Sequence, residues 1–93
     1  TGLARYSAAS TSETKLLEAG DYDDNKPHKL YLKNTSTTRT HYVNISIGTS
    51  GSTVDLGRIY GGEWCLVPWD GTEDLHLTQS ATGIINEWML FYE

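Results

Sequence analysis

The side chains that could do chemistry are three histidines, one cysteine and twelve carboxylates. His28, His41 and His76 show no H-x-x-x-H or H-E-x-x-H spacing, so no single element would present two of them to one metal ion. Asp21, Asp23 and Asn25 have the odd-position spacing that opens an EF-type calcium loop. Position six of that loop falls on Lys26 where glycine is needed, and position twelve falls on Leu32 where a bidentate glutamate is needed. A solvated acidic turn is the better reading, with a looser calcium site shared with Glu18 as the minor alternative. Cys65 has no cysteine partner for a disulfide or a zinc site. Its neighbours Trp64, Leu66 and Val67 suit an inert buried thiol better than a nucleophile. No G-x-S-x-G, G-x-G-x-x-G or Walker A pattern occurs. Glu63, Asp70, Glu73 and Asp74 could pair across a cleft as in glycosidases, but a chain this short rarely encloses one. Two sequons, Asn34-Thr35-Ser36 and Asn44-Ile45-Ser46, are chance matches in the absence of a visible secretion signal. The expectation is a protein that is not an enzyme, with no cofactor and no metal.

Aromatic residues say more. Three Trp and six Tyr stand against one Phe, a bias toward rings with a polar handle, which are enriched at interfaces. Trp64 and Trp88 are assigned to the core. Trp69, beside Pro68 and the Asp70-Gly71 turn, is expected at the surface. Tyr31 and Tyr42 fall on strand faces opposite the aliphatic ones. Such rings could contact a protein or stack on sugars.

These residues belong to a chain of 93 residues, room for one domain. It is 38% hydrophobic and 20% charged, and no apolar run approaches the ~20 residues of a membrane-spanning helix. The net charge of −5 with scattered Lys and Arg argues against a nucleic-acid partner, and no membrane partner is expected. A domain this small, without a disulfide, has a modest core and favours oligomerisation or docking onto a larger surface.

The pattern along the chain is all-β. Residues 1–12 are a polar segment read as a flexible N-terminal arm, with Leu3 and Tyr6 as possible anchors. Residues 13–93 are read as a single β-sandwich or barrel domain. Strand-like runs cover 14–19, 28–34, 40–48, 54–60, 63–69, 74–80 and 85–93, separated by turn signals such as Gly61-Gly62 and Asp70-Gly71. Leu30 and Leu32 alternate with Lys29, Tyr31 and Lys33; Val43, Ile45 and Ile47 alternate with Tyr42, Asn44 and Ser46. Gly57 marks a bulge or a close approach. Six to seven strands at this rhythm predict a small antiparallel sandwich or barrel.

The stretch 29–93 resembles small virion proteins of tailed bacteriophages. The resemblance rests on Leu30-Tyr31-Leu32-Lys33-Asn34-Thr35, Val43-Asn44-Ile45-Ser46-Ile47, Gly61-Gly62-Glu63-Trp64 and Leu66-Val67-Pro68-Trp69-Asp70-Gly71. It continues through Asp74-Leu75-His76-Leu77-Thr78 to Trp88-Met89-Leu90-Phe91-Tyr92-Glu93. Similar layouts occur in capsid decoration (cement) proteins and in head–tail or tail accessory proteins. The resemblance implies a β-sandwich or barrel, often trimeric, that sits on the capsid exterior at capsomer junctions and stabilises the shell. Its partners would be the major capsid protein and itself, as a homo-oligomer such as a trimer. It would be made in the host cytoplasm and reside on the virion. Leu3, Tyr6, Tyr31, Tyr42 and Trp69 are the candidate contact residues. A tail, neck or fibre component and a carbohydrate-binding module are the alternatives.

Overall fold

The computed structural model describes residues 3–8, 10–49 and 51–91. Tyr92 and Glu93 of the expected last strand, Ser50 of an expected turn, and Thr1, Gly2 and Ala9 of the expected arm lie outside the described residues. Among the described residues, eight strands form two four-stranded antiparallel sheets packed as a small sandwich. They are β1 (Ala4–Tyr6), β2 (Thr14–Leu17), β3 (His28–Asn34), β4 (Tyr42–Thr49), β5 (Ser52–Tyr60), β6 (Trp64–Trp69), β7 (Leu75–Gln79) and β8 (Asn86–Phe91). The first sheet has the order β1-β8-β3-β6 and the second β2-β7-β4-β5.

The all-β reading holds, with eight strands in place of six to seven. The added strand is β1. Its three residues pair with β8, Ala4 with Trp88, Arg5 with Glu87 and Tyr6 with Asn86. Residues 4–6 are therefore a sheet edge and not a free arm. A strand of three residues is too short to show alternation, so sequence periodicity does not reveal it.

Leu30 and Leu32 are fully buried, and β3 alternates as its sequence predicts. Across from them, Val43, Ile45, Leu75 and Leu77 fill the interior of the second sheet. Burying each such side chain stabilises the fold by roughly 1.5–3 kcal/mol. The register of β4 with β5 shifts between Ile45 and Ser46, and Gly57 adopts φ 149° there, so the expected bulge is present.

Two tryptophans exchange their expected places. Trp69 is only 3% exposed, whereas Trp64 is 63% exposed. The reason is register. Leu30 pairs with Val67 and Leu32 with Cys65, so the odd positions of β6 point inward with those leucines. Trp69 is held by an Nε1–H donated to the Glu73 carbonyl at 2.7 Å. It also meets Tyr22 edge-on at 5.4 Å and His28 at 5.6 Å between ring centroids. Gly71 closes this end: a Cβ there would come 2.5 Å from the Asp23 carbonyl oxygen.

Glu13 clasps the β4–β5 hairpin. Its carboxylate accepts from Thr53 Oγ1 at 2.7 Å, the Gly51 N–H at 3.3 Å and Ser46 Oγ at 3.5 Å. The Thr53 bond foremost holds its carboxyl below the ordinary value of 4.5. The Ala19 N–H, at 2.8 Å, does most to hold Asp74 below 3.8, with Lys15 assisting.

Trp69→Ala is expected to destabilise the protein by about 3–5 kcal/mol, and Trp64→Ala by about 0.5 kcal/mol or less, in urea unfolding. Equal costs would contradict the assigned orientation of β6. Because the Glu13 and Asp74 carboxyls are depressed on folding, their stabilisation is complete above the unfolded values and lost as pH falls through the folded ones. Melting temperature should therefore decline below about pH 4.5, and Glu13→Gln should flatten that acid limb. An unchanged acid limb in this variant would remove Glu13 from the account.

Candidate functional site

The two outer faces of the sandwich differ in chemistry. On the second sheet the outward side chains are polar: Asn44 donates to Asp55 at 2.9 Å, and Arg58 lies 3.9 Å above the Tyr42 ring. His76 also belongs to this side but is buried there. Its Nε2–H donates to the Gly48 carbonyl at 2.8 Å, and the Glu13 carboxylate lies 3.9 Å from Nδ1.

On the first sheet the outward residues are largely apolar. Registers place them in three rows across the strands. Arg5, Glu87, Lys33 and Trp64 form one row. Met89, Tyr31 and Leu66 form the next, and Phe91, Lys29 and Pro68 the third. Leu3, one residue before β1 and two from Arg5, lies on the same side by alternation and is exposed. With strands spaced ~4.8 Å apart, the four-stranded face spans about 14 Å. Leu66 and Phe91 are each more than half exposed, like Trp64. The Tyr31 and Trp64 rings lie 6.1 Å apart at a tilt of 39°. Arg5 meets Glu87 at 3.7 Å, while Lys29 and Lys33 enter no ion pair among the described residues.

A second apolar feature lies at the open side of the sandwich, where β5 and β6 are the edge strands. A cleft of ≈ 480 Å³ there is lined by Ile45, Ile47, Leu56, Ile59, Cys65 and Val67, among others. Val54 and Leu56 on β5 are exposed beside it. Burial pushes the Cys65 thiol up, so the thiolate is disfavoured.

Of the five candidate contact residues, Leu3 and Tyr31 fall together on the outer face of the first sheet. Tyr6 pairs with buried Asn86 and packs against the core. Tyr42 is half-buried on the opposite face of the molecule, beneath Arg58 and 5.8 Å from Tyr60. Trp69 is interior, so its ring is not available at the surface. The sequence reading missed Trp64, Leu66 and Phe91. Their signal was parity: they share phase with Lys29, Tyr31 and Lys33 once β3 is aligned with β6 and β8.

No cluster of three or more His, Cys, Asp or Glu that could hold a metal ion occurs among the described residues. No helix among them is long and apolar enough to cross a membrane. No protein-family model matches the chain, and no curated protein matches it.

The geometry makes Trp64 the most quencher-accessible indole. Trp64→Phe should remove most acrylamide-quenchable tryptophan emission, whereas Trp69→Phe should leave it in place. Retention of the quenchable fraction in Trp64→Phe would contradict the exposure of this face.

Proposed function

We propose that this protein is a non-enzymatic structural subunit of a bacteriophage particle, binding the outer capsid surface at capsomer junctions and stabilising the shell. One observation carries the docking part of the reading: an outward sheet face bearing Trp64, Leu66, Tyr31, Met89, Phe91 and Leu3. Contiguous exposed apolar surface on a small domain marks an interaction site. Its breadth suits another protein surface better than a small molecule, which prefers a concavity. The virion assignment rests on the sequence resemblance, which also supports a homo-oligomer such as a trimer. The apolar β5–β6 side is then the surface for contacts between copies. Placement on a tail, neck or fibre is the same docking reading at another address.

A carbohydrate-binding module is the second reading. The exposed Trp64 ring beside Tyr31 favours it, although the platforms expected at Trp69 and Tyr42 are interior and covered by Arg58, respectively.

The test uses shells of the encoding phage assembled without this protein. Wild-type protein is expected to bind them saturably and to raise their melting temperature. Trp64→Ala with Leu66→Asp should weaken binding by about 100-fold or more, since burial of each side chain contributes roughly 1.5–3 kcal/mol. Undiminished binding by the folded double variant would sink the assigned face. Labelling confined to tails in electron micrographs would move the address. Binding to a polysaccharide panel with a change in Trp64 emission, without shell binding, would favour the module.

A further inference from the structure

The whole chain carries net charge −5, yet the outer face of the first sheet is positive. Among the described residues it holds Arg5, Lys29 and Lys33 against the single carboxylate Glu87, a balance of 3 − 1 = +2. Glu87 is engaged with Arg5. Lys29 and Lys33 flank Tyr31 along β3, one in each of the rows that border the apolar row of Met89, Tyr31 and Leu66. Acidic groups gather at the end closed by Gly71, next to the Phe91, Lys29 and Pro68 row: Asp23 and Asp24 approach Gly71, the Lys26 N–H donates to the Asp70 carbonyl, and Asp70 and Glu73 line a cavity with Lys29 and Pro68.

We infer that this face binds an acidic, aromatic- or aliphatic-bearing surface on a different protein, and that it does not stack on its own copy. The inference rests on the reading of this face as the docking surface and specifies its partner. Two copies face to face would bring two faces of the same net sign together, with only one Glu87 on each side to compensate. Like charges brought together at a desolvating interface oppose association, and opposite charges speed encounter and fix register. Lys side chains suit this arrangement because their stems cover apolar surface while their ammonium groups reach outward. Carboxylates of the partner would meet those ammonium groups, and its apolar side chains would seat on Tyr31, Leu66 and Trp64.

The probe is a fluorescently labelled random copolymer of glutamate and tyrosine, followed by anisotropy with the full chain. Controls are poly-glutamate, a lysine–tyrosine copolymer and a single-stranded thymidine oligonucleotide. The glutamate–tyrosine copolymer is expected to bind tightest, and its affinity should fall as salt rises. Lys29→Gln with Lys33→Gln should weaken it by about tenfold and reduce the salt dependence. Neutral glutamine avoids placing a new carboxylate opposite Glu87, and an unchanged unfolding midpoint verifies the fold. The charge-reversed pair Lys29→Glu with Lys33→Glu should weaken it further.

Unchanged affinity in the glutamine variant overturns the inference. So does equal binding of the lysine–tyrosine copolymer, or tighter binding of the oligonucleotide. Self-association that disappears with the same lysine substitutions, seen by light scattering, overturns it in favour of a copy-to-copy contact. The shell assay separates the two claims. If the glutamine variant binds shells as wild type does while Trp64→Ala with Leu66→Asp does not, the acidic partner is wrong and the docking face stands. If lysine-dependent copolymer binding is found without shell binding, the partner chemistry stands and the virion reading falls.

Discussion

The alignment of β3 between β6 and β8 governs the rest of the molecule. Leu30 and Leu32 are fully buried at the centre of the first sheet. A slip of one residue would exchange them for Lys29, Tyr31 and Lys33. Desolvating two unpaired ammonium groups costs several kcal/mol each, so the alternative phase is strongly excluded. With β3 fixed, its neighbours have no freedom of phase. Leu90 and Trp88 follow the leucines inward, and Met89 and Phe91 face out. Cys65, Val67 and Trp69 turn inward, and Trp64 and Leu66 face out. The core and the exposed apolar face are thus set by one strand's parity.

One end of the sandwich is closed by buried amides. Asn34 donates through Nδ2 to the carbonyls of His41 and Ile59 and accepts from the Ser36 N–H. This joins the end of β3 in one sheet to β5 in the other, across the Gly61-Gly62 connection. Asn86 donates to Gln79, and Gln79 donates to the Ala8 carbonyl, which ties β8, β7 and the segment after β1 together. Buried polar groups are costly when unpaired and specify geometry when paired. In a domain without disulfides, these contacts fix how one sheet sits on the other, and leucine packing alone would specify that less sharply.

Much of the fold was legible because β3, β4 and β7 alternate in sequence. Leu30 and Leu32, Val43 and Ile45, and Leu75 and Leu77 carry phase, and the intervening polar residues confirm it. The β6 run Trp64-Cys65-Leu66-Val67-Pro68-Trp69 is apolar at every position and carries none. Its phase comes only from its partner strand, hence the exchange of Trp64 and Trp69. His76 illustrates the converse. Its strand phase turns it away from Leu75 and Leu77, but Glu13 and the β4–β5 hairpin cover that spot, so orientation and exposure part company. Of the outward apolar face, Tyr31 and Leu3 were readable from the sequence. Trp64, Leu66 and Phe91 were not, because their role is defined by the pairing of distant segments.

Nothing in the stability of the fold requires those three residues to be large and apolar. They occupy outward positions where polar residues would leave the core untouched, and the outer face of the second sheet accepts Asn44, Arg58 and Asp55 at equivalent positions. An exposed apolar sheet face also carries a standing risk of non-specific association. Two features of this molecule hold that risk down. Lys29 and Lys33 interrupt the face with charge, and Pro68 places a residue without an N–H on the outermost strand β6. The combination of a retained apolar face and built-in protection against indiscriminate pairing is what a surface reserved for a specific partner requires. A face optimised for solubility alone would not keep Trp64, Leu66 and Phe91.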